Sequence, residues 1–141
     1  LSVDEIRFRD LVRRCRSELE SPYDIRDRRP RDLSAYVYLI GVVGTPTPVK
    51  IGLSVNIDDR LAALQTASPM KLERVVAYLI EHIDIAQAIE RRSHKHFAAR
   101  RRHYEWFDVE AAEIGAWIEG TFGELVQAVG NPSAPKRRRG L

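Results

Sequence analysis

Single-residue alternation of apolar and polar positions marks three strands along the chain. "AYVYLIGVV" (35–43) is rich in β-branched and aromatic residues and reads as the first strand. "GTPTP" turns the chain, "VKIGLS" returns it as a hairpin, and "KLERVVAYLIE" (71–81) is the third strand. Elsewhere the apolar period lengthens to that of a helix. In "VDEIRFRDLVRRCRSELE" (3–20) a narrow stripe joins Phe8, Leu11, Val12, Cys15 and Leu19. "IDDRLAALQTA" (57–67) follows Asn56, which with Asp59 has the form of an N-cap and an acidic first turn, and Pro69 discourages continuation. A further helix is predicted from Asp84 through "DIAQAIERRSHKHFAARRR" (84–102). After "YEWFDVE" comes a last helical region, "AAEIGAWIEGTFGELVQAVG" (111–130), which its glycines break in two.

The pattern predicts an α+β fold: a small three-stranded antiparallel sheet flanked by helices, with an N-terminal helical arm and C-terminal helices. It divides as a helical arm and linker (1–34), a compact core (35–108), a C-terminal helical region (109–130) and a disordered basic tail (131–141). The linker "SPYDIRDRRPRDLS" (21–34) is marked by prolines and dense charge.

Composition narrows the setting. A chain of 141 residues suffices for one domain with a real core. Its single cysteine, Cys15, excludes an internal disulfide and a cysteine-rich zinc site, and its place in the stripe makes it a small core residue. The longest apolar stretches are too short to span a membrane, and "LSVDEIRFRD" is too charged for a signal peptide, so a reducing cytoplasm is expected. The arm's stripe could pair with a second copy, giving a homodimer or larger assembly, or fold back onto its own sheet. Net charge is only +3, so the placement of charge matters more than its total.

That placement is uneven. Because side chains alternate across a strand, burying Val37, Leu39, Val49 and Ile51 under the helices leaves Tyr36, Tyr38 and Lys50 together on an open face. Gly52 on that face would let a large ligand approach the backbone. Arg60, between Ile57 and Leu64 in helical spacing, flanks an apolar stripe; alone it reads as a snorkelling cation over the helix–sheet seam. Glu90 borders the buried side of the 84–102 helix, with His94 one turn on. The two admit a metal-binding pair or an ordinary boundary residue beside a capping histidine. "RRSHKHFAARRR" carries six Lys/Arg in twelve residues. Arg91, Lys95, Arg100, Arg101 and Arg102 in it form either a solvated face or a phosphate-tracking surface to which Tyr36 would add. A tyrosine, a lysine, an arginine and a carboxylate beside a basic surface suit phosphodiester hydrolysis, the carboxylate holding a divalent metal.

The blocks "YVY", "KIG", "RLAALQT", "ERRSHKHF" and "EWF", in that order over residues 35–108, resemble the GIY-YIG nuclease superfamily, in particular its phage and bacterial open-reading-frame branch. The resemblance implies a DNA endonuclease using Mg²⁺ or Mn²⁺ and leaving 5′-phosphate and 3′-hydroxyl ends. It implies that Tyr38 orients or deprotonates the attacking water, that Arg60 stabilises phosphate charge and that Glu90 binds the metal. His94 and Glu105 fall at polar positions of the branch, and Gly52 completes the second motif. Lys50 stands where that motif carries a tyrosine; its ammonium could lower the Tyr38 pKa or contact the phosphate. Ala67 and Tyr104 stand at positions where the branch often has glycine. The alternative is a catalytically silent nucleic-acid-binding module of the same fold.

Overall fold

The computed structural model describes residues 1–20 and 33–130. Both the linker 21–32 and the tail 131–141 lie outside the described residues, as does the disorder expected of the tail. Helix α1 (Val3–Glu20) precedes strand β1 (Ala35–Val42), which returns as β2 (Val49–Ser54). Helix α2 (Ile57–Thr66), strand β3 (Leu72–Ile80) and helix α3 (Ile83–His96) follow. A 3-10 turn at Ala98–Arg100 leads to the short strands β4 (Arg101–His103) and β5 (Trp106–Phe107), then helix α4 (Ala111–Phe122) and strand β6 (Gln127–Val129).

The α+β class is as expected, but the sheet has six strands rather than three, in the order β4-β5-β2-β1-β3-β6. Every pairing is antiparallel. The three long strands are the ones that alternation marked. β4, β5 and β6 are only two or three residues long, too short to show a period of two, and they form by pairing to longer neighbours. Two helical expectations change accordingly. The helix expected to run to residue 102 ends at His96, and Arg100, Arg101 and Arg102 belong to the 3-10 turn and β4. Gly123 ends α4 in the left-handed region at φ 51°, and the chain beyond it adds β6 rather than more α-helix.

The sheet is covered on both faces. Ala35, Val37, Leu39, Val49, Ile51, Tyr78 and Ile80 join Ile85, Ala86 and Ile89 of α3 and Ile114 and Ile118 of α4 in one core. Cys15 lies in this core, with Phe8, Leu11 and Val12 packed against it. The stripe of α1 is therefore spent within its own chain, and Arg92 pins the helix by contacting Asp4 Oδ2 at 2.9 Å and lying 4.4 Å above the Phe8 ring. The opposite face was expected to be open, and it is not. Ile57, Leu61 and Leu64 of α2 pack there on Tyr38, Ile40, Leu72 and Ala77, because their i, i+4, i+7 spacing gives the helix an apolar stripe to bury. Asn56 caps α2 by accepting from the Asp59 N–H at 3.0 Å, as its position suggested. Gln65 then ties the helix end to β3, donating to the Met70 carbonyl at 2.9 Å and accepting from the Leu72 N–H at 2.8 Å.

Candidate active site

Residues from five elements meet where β2 passes between the two layers of helices. Tyr38, opposite Gly52 in the β1–β2 register, is fully buried. Gly52 serves this ring rather than a ligand: a Cβ on it would sit 2.2 Å from both Cζ and Oη of Tyr38. The Tyr38 hydroxyl accepts from Arg60 Nε at 3.4 Å. Arg60 thus reaches from the flank of α2 to the phenol while its residue stays largely exposed. Burial pushes the Tyr38 phenol above its ordinary value, and Arg60 pulls the other way without reversing the shift. A neutral phenol positions better than it deprotonates.

The second cation takes a different partner. Lys50 is 6% exposed, and its Nζ donates to Glu105 Oε1 at 2.7 Å. Glu105 is brought there by β5, whose Trp106 pairs with Lys50 and whose ring centroid lies 5.8 Å from the ammonium. The Glu105 carbonyl also accepts from the Ile51 N–H at 3.0 Å. Lys50 is therefore a neighbour of Glu105, and it does not figure among the groups that shift Tyr38.

Glu90 and His94 approach from α3. One ligand atom from each of Glu90, His94 and Glu105 can be chosen so that all lie within 4.8 Å of one another. His94 Nε2 lies 2.9 Å from the Ile51 carbonyl, so it carries the proton in a neutral ring and leaves Nδ1 the lone pair. Burial first, and repulsion from Glu105 second, push the Glu90 carboxyl up to about 7, against the pull of Lys50 and Arg91. Two carboxylates that repel each other beside an imidazole fit a divalent cation, which would relieve the repulsion. A second group, Cys15, His82 and Asp84, also comes together. There His82 Nδ1 accepts from the Asp84 N–H at 3.0 Å and Nε2 is 3.2 Å from Glu18, so both ring nitrogens are occupied by the cap of α3 and its brace to α1.

The basic residues divide. Arg91 and Lys95 line a groove between α3 and α1 together with Arg7 and Arg92, and Arg91, Lys95 and Arg7 have no ion-pair partner among the described residues. Arg100 is bound to both carboxylate oxygens of Glu113, Arg102 pairs with Asp108 at 2.5 Å, and Arg101 lies 5.3 Å above the Phe107 ring. Arg101 and Arg102 thus brace the β4–β5 hairpin, while Arg100 ties the 3-10 turn before it to α4. Tyr36 packs at the edge of the α2 layer. Trp106, which flanks Lys50, was not singled out from the sequence, although it stands in the same "EWF" block as Glu105.

An α+β domain with a carboxylate–imidazole pocket beside a buried tyrosine and an arginine is the class these observations define. The chain belongs to the T5orf172 domain family, whose model matches residues 35–121, from the start of β1 almost to the end of α4. This match corrects the GIY-YIG assignment made from the motif blocks, since the family that accounts for the chain is a different one. Short blocks of common residue types in order set a weaker constraint than a match that runs continuously over residues 35–121. T5orf172 domains are associated with nucleases and DNA binding. No curated protein and no solved structure matches the chain. No helix among the described residues is long and apolar enough to cross a membrane.

Proposed function

We propose that the chain is a metal-dependent DNA endonuclease that hydrolyses phosphodiester bonds at the Glu90–His94–Glu105 pocket. The reading rests above all on that trio, with donor atoms within 4.8 Å, lying near enough to the Arg60–Tyr38 pair for Glu105 to act on both of its members. Mg²⁺ or Mn²⁺, held by Glu90 with His94 and Glu105, would supply Lewis-acid stabilisation of phosphate charge. The chain's own residues do the rest. Arg60 presents its exposed guanidinium to the phosphate. Tyr38, kept neutral by burial, accepts from Arg60 and so holds that guanidinium in place. Lys50 holds Glu105 in place and offsets part of the pocket's negative charge. Arg91 and Lys95 offer unpaired cations to the flanking backbone.

Incubation with supercoiled plasmid should give nicked or linear product with Mg²⁺ or Mn²⁺ and none with chelator. Arg60→Ala should lower the rate about 10²- to 10³-fold, the loss typical of removing one donor to developing charge, while DNA affinity at fixed salt changes little. Plasmid left intact under both metals, with salt-sensitive binding retained, would reduce the chain to a nucleic-acid-binding module.

A further inference from the structure

The two-residue connection between β4 and β5 carries Tyr104 in an unusual state. His103 pairs with Trp106 across the hairpin, so Tyr104 and Glu105 alone make the turn. Tyr104 has φ 52°, in the left-handed region where a bulky side chain is strained and where hairpin turns normally place glycine or asparagine. Its ring gains nothing for the fold in return. Tyr104 is 77% exposed, and among the described residues its ring's one aromatic neighbour is His103, itself exposed, at 4.2 Å between centroids. A large ring in water on a strained backbone opposes folding twice over, and such strain gathers where a chain holds a side chain ready for a ligand.

The surroundings say which ligand. Glu105, the next residue, is one of the three donors of the candidate metal pocket and is clamped by Lys50. Tyr104 is thus the chain neighbour of a residue that borders the candidate phosphate site. Arg101 and Arg102 of the same hairpin are taken up by Phe107 and Asp108, which leaves the Tyr104 ring face, seated only against His103, open to a planar partner. An exposed aromatic face beside a candidate phosphate site is the kind of surface on which a nucleic-acid base stacks.

We infer that Tyr104, seated against His103 at the β4–β5 tip, is a base-stacking residue that grips the nucleotide adjoining the scissile phosphate of DNA. The inference deepens the endonuclease reading and rests on it. It explains why the turn tolerates tyrosine at a position that asparagine would fill with less strain: the ring is aimed at substrate. As Tyr104 touches the base and not the reacting atoms, it governs binding rather than the chemical step.

The test compares wild type, Tyr104→Asn and Tyr104→Trp by thermal melting and by anisotropy with a fluorescent single-stranded oligonucleotide, in chelator and at fixed salt. Asparagine relieves the left-handed strain, so Tyr104→Asn should melt at or above the wild-type temperature. It should nevertheless bind the oligonucleotide roughly 5- to 150-fold more weakly, the range for losing one base–aromatic stack. Tyr104→Trp should bind as wild type does. Equal affinity in Tyr104→Asn, or an equal loss in both variants, would overturn the stacking role while leaving the nuclease reading standing. Wild type that fails to bind DNA even at low salt would overturn both, and that result is distinct because it needs no variant.

Discussion

Glu90→Gln should yield a protein that is more stable than wild type at pH 8 without metal and that cleaves DNA roughly 10³-fold more slowly or not at all. Both effects have one origin. In the folded protein the Glu90 carboxyl keeps its proton up to about pH 7, against an ordinary value of 4.5. Between those values the native state binds more protons than the unfolded chain, so stability falls as pH rises. The cost is absent below pH 4.5 and complete above about 7. At full weight the shift would correspond to roughly 3 kcal/mol. Glu90 is only partly buried, and solvent screening brings the expected gain on neutralisation to about 1–2 kcal/mol. Melting curves of metal-free protein should therefore coincide near pH 4.5 and separate progressively toward pH 8, with Glu90→Gln the higher.

Added Mn²⁺ or Mg²⁺ should reverse that order. A cation bound only by the native state stabilises by about 2.7 kcal/mol at a hundredfold excess over its dissociation constant. Wild type should gain this and Glu90→Gln should gain little, because an amide lacks the charge. Equal metal-induced shifts in the two proteins would place the cation elsewhere, and undiminished cleavage by the variant would remove Glu90 from the site.

The sequence disclosed the parts of the candidate site carried by regular elements and hid those made by long-range packing. Tyr38, Lys50, Arg60, Glu90 and His94 were all locatable, since strand alternation and helix spacing place each on a face of its own element. The Asn56 cap that starts α2 at the right residue was legible for the same reason. What Lys50 meets was not. Its partner Glu105 is 55 residues away and arrives in the turn just before β5, a strand of two residues with no periodicity to read. Nor does any pattern within 35–54 reveal that α2 will close over the face bearing Tyr38, because that depends on how the apolar sides of two elements meet. The same closure changed the meaning of Gly52, from an approach path for a ligand to a recess for a ring. Arg100 and Arg102 show a further limit: a run of cations does not show that carboxylates at 113 and 108 will claim two of them.

Gly52→Ala concentrates that packing argument in one methyl group. The added Cβ would fall 2.2 Å from Cζ and Oη and 2.7 Å from Cε1 of Tyr38, well inside van der Waals contact. The phenol has nowhere to retreat: it is fully buried beneath α2, and its hydroxyl meets Arg60. Either β1 and β2 separate or the ring leaves its rotamer. Overpacking of this kind costs about 3 kcal/mol, so a melting point several degrees lower is expected. Cleavage should fall further than stability alone explains, because displacing the ring breaks the Tyr38–Arg60 contact. Tyr38→Leu in the same chain removes the clash and should recover much of the lost stability without restoring cleavage. Such a coupling would show that the glycine is required by the ring and the ring by the reaction. A Gly52→Ala protein that melts and cleaves as wild type does would mean that Tyr38 can leave its place freely, and a group that leaves freely cannot be what holds Arg60 in position.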